Sequence, residues 1–138
     1  MDKALNYIAL ARKAQLLELG EEPVGAITRT GKGYLVVVAK DASDHTWRRA
    51  KSFVAGTEQQ CLRVPFTKEE LGFVVGRTSL AIAAFTDVAM ALAFVKGLPD
   101  QEKVKKEAEI LEAKSTKMRQ RKKEADAHKR NVRFGKKK

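Results

Sequence analysis

The sequence predicts an α/β fold: a three-layer α/β/α sandwich over residues 1–98 with a small mixed sheet, and a basic C-terminal helical extension over residues 99–138. Three observations predict it. Tyr34–Ala39 (YLVVVA) and Leu80–Phe85 (LAIAAF) are continuous apolar runs of strand length, as expected of strands covered on both faces. Helical patterns alternate with these runs, which argues layers of helices around one sheet. The 138 residues, 43% apolar and 33% charged, suit one compact domain and a modest addition.

In order along the chain, residues 3–18 read as an amphipathic helix. Leu5, Ile8, Ala9, Arg12, Leu16 and Leu19 recur at threes and fours, and Gly20 closes the helix. Glu21, Glu22 and Pro23 suit the first turn of a second helix, where carboxylates meet the positive dipole end and proline needs no N–H donor. That helix ends at Thr30-Gly31-Lys32-Gly33, before the Tyr34–Ala39 strand. Ser43 or Asp44 can cap a third helix reaching Val54. Cys61–Val64 is a short strand closed by Pro65. Thr67 with Glu70 is a capping-box pattern opening a helix to Val75. Gly76-Arg77-Thr78-Ser79 is a loop, Leu80–Phe85 a strand, and Asp87 the cap of a helix over Val88–Lys96. The sheet is expected to hold three or four strands. Residues 100–127 are strongly helix-forming, with Val104, Ala108, Leu111 and Met118 as a weak stripe, so a long helix packing little is expected. Residues 128–138 read as unfolded.

Charge is distributed unevenly. Residues 1–99 hold 13 Lys/Arg against 10 Asp/Glu, whereas residues 113–138 hold 12 against 2. A balanced body carrying a polycationic tail favours polyanions; RNA, DNA and acidic membrane surfaces all qualify, and a solvated tail is the bland alternative. No apolar run approaches the roughly 18 residues of a membrane span. The charged N-terminus does not read as a secretory signal. Cys61 is the single cysteine, which excludes a disulfide framework and a cysteine-rich metal site. A cytoplasmic, reducing location is expected.

The stretches GEEPVGAITRTGKGYLVVVAKDASDHT and CLRVPFTKEELGFVVGR, with FTDVAMA after them, resemble the kink-turn RNA-binding ribosomal protein family. Its members include the large-subunit proteins seven-Ae and thirty-e and the bacterial YlxQ-type proteins. The resemblance covers residues 3–98, and Asp41-Ala42-Ser43 with Thr46 is closest to the YlxQ-type branch. It implies two RNA-contacting places. One is the helix start after Gly20, with Glu21 and Glu22; a helix start offers free N–H groups to phosphates and base edges. The other is the loop after Leu71-Gly72 and Gly76, formed by Arg77, Thr78 and Ser79. Glu22 stands where the family has Asn, Pro23 where it has Glu and Ala26 where it has Lys. Asn donates and accepts, Glu22 only accepts, and the absent Lys removes a phosphate contact. Arg12, Lys13 and Lys32 are expected to flank the same surface, although a solvated face explains each equally. Lys117, Arg119, Arg121, Lys122 and Lys123 are expected to neutralise phosphates.

Enzyme chemistry is not expected. His45 has no nucleophile at motif spacing, no phosphate-binding glycine loop or metal-ligand cluster is evident, and Cys61 among apolar residues reads as a buried thiol. Trp47 is expected to be partly buried. The expected protein is therefore RNA-binding and ribosome-associated, without cofactor or membrane partner, and monomeric. Its expected partners are RNA, ribosomal RNA first, and the ribosome or translation factors. The competing class is a protein-interaction adaptor using the same fold without specific RNA recognition.

Overall fold

The computed structural model describes residues 2–135, with side chains through Ala127. The elements are α1 (Lys3–Lys13), β1 (Leu17–Leu19), α2 (Glu21–Arg29), β2 (Leu35–Val38), α3 (Asp44–Val54), β3 (Gln60–Arg63), α4 (Lys68–Val74), β4 (Ile82–Phe85), α5 (Val88–Lys96) and α6 (Lys105–Gly135). The four strands lie in the order β1-β4-β2-β3. β4 runs antiparallel to both β1 and β2, and β3 runs parallel to β2. Helices α1, α4 and α5 form one layer and α2 with α3 the other, so the three-layer sandwich is present.

β2 is fully buried along its length, because it is flanked by strands on both edges and helices on both faces. Its core partners include Phe85 and Phe94, whose rings lie 5.1 Å apart. Fully burying side chains of this size stabilises by about 1.5–3 kcal/mol each. Local signals set the helix starts. Ser43 accepts from Thr46, Asp87 accepts from Met90, and Thr67 and Glu70 complete a reciprocal capping box.

The first helix departs from its expected length. α1 stops at Lys13 because Gln15 takes φ 60°, a left-handed conformation that redirects the chain. Leu17 and Leu19 then turn inward with Glu18 between them, an alternating strand pattern. Gly20 does not close a helix; at φ 97° it makes the turn from β1 into α2.

The extension also differs from expectation at its root. Val104 and Leu111 are buried, Ala108 packs against the core, and Ser115 is buried. Lys96 pairs with Glu112 at 3.6 Å and Lys114 with Glu58 at 3.2 Å. From Thr116 to Ala127 every side chain is exposed. The helix continues past His128, where loss of structure was expected, to Gly135; Lys136–Lys138 lie outside the described residues.

Candidate nucleic-acid interface

Strand polarity decides which loops meet. Leu19, Val38, Ile82 and Arg63 lie at one end of the sheet, and Leu17, Leu35, Phe85 and Gln60 at the other. The first end therefore collects the β1–α2 turn at Gly20, the segment after β2, the segment after β3 and the loop preceding β4. Gly20 and Arg77, distant in sequence, are brought together there. The Nη1 atom of Arg77 lies 4.0 Å from where a Cβ on Gly20 would stand.

Each half of this edge has a local cause. At α2, Gly20 provides no side-chain cap and Pro23 has no N–H, while Val24 donates to the Gly20 carbonyl. The N–H groups of Glu21 and Glu22 are left without acceptors among the described residues, at the positive end of the helix dipole. At the loop, Gly76 takes φ 77° and the Arg77 N–H donates to the Gly72 carbonyl at 2.8 Å. The loop backbone lies directly on Gly72. A Cβ there would stand 2.7 Å from Ser79 Cα and 2.8 Å from the Arg77 oxygen. Asp41 accepts from the Lys68 N–H at 2.8 Å, tying the β2–α3 connection to the start of α4. Arg77, Thr78 and Ser79 are exposed.

Glu21 is not the bare carboxylate its sequence position suggests. Arg49 on α3 donates to it at 2.6 Å and lies over the Phe53 ring at 5.0 Å from its centroid. The pair is half exposed, so its worth is screened to about 0.2–1 kcal/mol. Its larger consequence is positional. Arg49 and Arg29 share one groove with Glu22 and Ala26, so cations stand beside α2 that no local sequence pattern predicts. Lys40, exposed immediately after β2, also belongs to this end.

Arg12, Lys13 and Lys32 do not flank this edge. α1 leads into β1 at Leu17, and Lys32 precedes β2 at Leu35, so all three belong to the opposite end of the sheet. Lys117, Arg119, Arg121, Lys122 and Lys123 are exposed on α6.

Cys61 is half-buried rather than a core thiol, because β3 is an edge strand. Burial pushes its pKa up, with Glu107 adding to the rise and Lys51 opposing it. Trp47 is half-buried, as expected, with Arg63 and Lys51 over its ring at 5.1 and 5.7 Å. Two Arg63 nitrogens are buried without hydrogen-bond partners. Among the described residues no three His, Cys, Asp or Glu side chains gather as a metal site, and no helix is long and apolar enough to cross a membrane.

The three-layer α/β sandwich is the fold that the resemblance implies. No family model matches the chain. RNA-binding protein YlxQ of Enterococcus faecium is 36% identical over 75 residues, which span 54% of this chain and 72% of that protein. The chain belongs to the YlxQ family. Among solved structures, a protein of unknown function from Bacillus halodurans superposes with a TM-score of 0.62 at 21% identity, covering 81% of this chain and 99% of that one. The Giardia lamblia 15.5kD RNA binding protein superposes with a TM-score of 0.57 at 16% identity, covering 68% and 80%. Both likenesses concern the fold.

Proposed function

We propose that this protein binds structured, kink-turn-like RNA, ribosomal RNA first, as a non-enzymatic, monomeric, ribosome-associated factor in a bacterial cytoplasm. One observation carries the reading: the Arg77 guanidinium stands beside the open N-terminus of α2. A cation and two free N–H donors at one edge suit a phosphate with its sugar or base edge. Thr78 and Ser79 add hydroxyls able to donate or accept toward ribose. The RNA-binding name of the Enterococcus faecium relative supports the same reading. Cations on α6 add affinity without sequence preference.

Arg77→Ala weakens RNA binding by about 1–2 kcal/mol, the worth of one charge-assisted contact, with the fold unchanged. Filter binding with a kink-turn hairpin measures this; unaltered affinity would count against the edge. Glu22→Asn combined with Ala26→Lys adds a donor and a phosphate contact beside α2 and raises kink-turn affinity. If that double variant binds the hairpin no better than wild type, the kink-turn mode is not used.

The adaptor reading rests on Phe73, which is 77% exposed on α4 and lines a shallow surface with Leu5, Glu69 and Glu70. Nucleic acid co-purifying with the protein favours RNA binding; its absence together with a captured protein favours the adaptor.

A further inference from the structure

We propose that one molecule bridges two separate RNA backbones, one at the Gly20–Arg77 edge and a second along the root and arm of α6. This inference rests on the RNA-binding reading above. It comes from where α6 is anchored. Lys114 pairs with Glu58 and lies over Tyr34 at 5.2 Å, and Gln60 donates to the Glu107 carbonyl at 3.5 Å. Tyr34, Glu58 and Gln60 all belong to the sheet end opposite to Gly20 and Arg77. The arm therefore leaves the body away from the first edge.

That second end is a built surface. An open groove runs between α6 and the Thr57–Gln60 segment, with Lys106, Lys117 and Arg121 along it. Buried Val104 and Leu111 seat the helix, Lys114 is engaged with the exposed Glu58, and Lys106, Lys117 and Arg121 are left for an external anion. Exposed Lys32 belongs to the same end. Between Thr116 and Ala127 five cations face two carboxylates, and no side chain in that stretch is buried.

Distance separates the two surfaces. A four-residue strand spans about 13 Å. From Ser115 to Gly135 the helix adds about 30 Å at its rise per residue. Charges more than about 8–10 Å apart are largely screened from one another at physiological salt. The two surfaces are thus electrostatically screened from one another, one shaped for a particular RNA geometry and one reading phosphates alone. A chain built this way holds one structured RNA element while gathering a second strand near it, the arrangement of an RNA-annealing or assembly factor.

The test uses the full chain, an immobilised short kink-turn hairpin and a labelled short oligouridine. Protein saturated with hairpin retains the labelled oligouridine, and ultracentrifugation finds one protein with both RNAs. Substituting Lys117, Arg119, Arg121, Lys122 and Lys123 with Gln cuts the retained label about tenfold or more. In that variant hairpin binding loses only the arm's non-specific share, so saturating protein still captures the hairpin. Its preference for the kink-turn over an unstructured RNA stays in place, and helical circular dichroism is unchanged. Arg77→Ala weakens the hairpin contact and spares oligouridine binding in solution. The bridge is overturned if the glutamine variant retains the label equally, if hairpin displaces oligouridine, or if bridged complexes hold two proteins. Failure of the wild-type chain to bind either RNA would end the RNA-binding reading as well.

Discussion

Gly72→Ala lowers stability by about 2–3 kcal/mol, the scale of forced overpacking, and weakens RNA binding by about 1–2 kcal/mol, as loss of the Arg77 contact does. The added methyl meets backbone, not a flexible side chain: Ser79 Cα, Ser79 N and the Arg77 oxygen all lie within 2.8 Å of it. Relief requires the 76–79 loop to lift away from α4. The 2.8 Å bond from the Arg77 N–H to the Gly72 carbonyl is then lost, and with it the placement of Arg77 beside Gly20. Thermal unfolding checks the first part, at about 4–8 °C per kcal/mol for a body of this size. The combination with Arg77→Ala checks the second. If the loop acts through Arg77, Gly72→Ala adds little further loss of affinity in that background, because the two changes share one contact. A variant that melts and binds like wild type would show that the loop is not seated on Gly72.

Removing residues 116–138 flattens the salt dependence of RNA binding while leaving the body folded. The cut falls after Ser115 because Leu111 and Ser115 are buried and Lys114 holds Glu58; cutting from residue 113 would remove part of that anchor. The deleted segment carries 11 Lys/Arg against 2 Asp/Glu. Each phosphate neutralised on single-stranded RNA contributes about 0.7 to the log–log slope, so five or six contacts give a slope of about −4. Truncation brings that slope close to the value set by the body alone. Discrimination between RNA structures survives, since the Gly20–Arg77 edge is intact. An unchanged slope and affinity would make the arm a spacer or a protein-docking element.

How much of this was legible in the sequence depends on the range of the signals. β2 was legible because four consecutive buried residues leave no polar alternation to misread. The caps at Ser43, Thr67 and Asp87 were legible because each acts within three residues. β1 was not. Leu16 and Leu19 continue the helical spacing of Ile8 and Arg12, and a three-residue strand offers too few positions to reveal its own period. The left-handed turn at Gln15, which ends α1, has no glycine to announce it. The adjacency of Gly20 and Arg77 entered through the family resemblance, since neither residue's surroundings predict the other. Charge alone does not separate Arg12, Lys13 and Lys32 from the Gly20–Arg77 edge; strand direction sends them to the opposite sheet end, and no local pattern carries it. Arg49 is not legible as a neighbour of α2, because its partner Glu21 is 28 positions away and such pairs carry no local pattern.

Ultraviolet cross-linking in living cells, followed by sequencing of the attached RNA and mapping of the attached peptides, tests the central claim most directly. Structured ribosomal RNA is expected to be joined to peptides holding Gly20–Pro23 and Arg77–Ser79, with further adducts on α6 beyond Ser115. A protein that sediments free of ribosomes and carries no cross-linked RNA would contradict it.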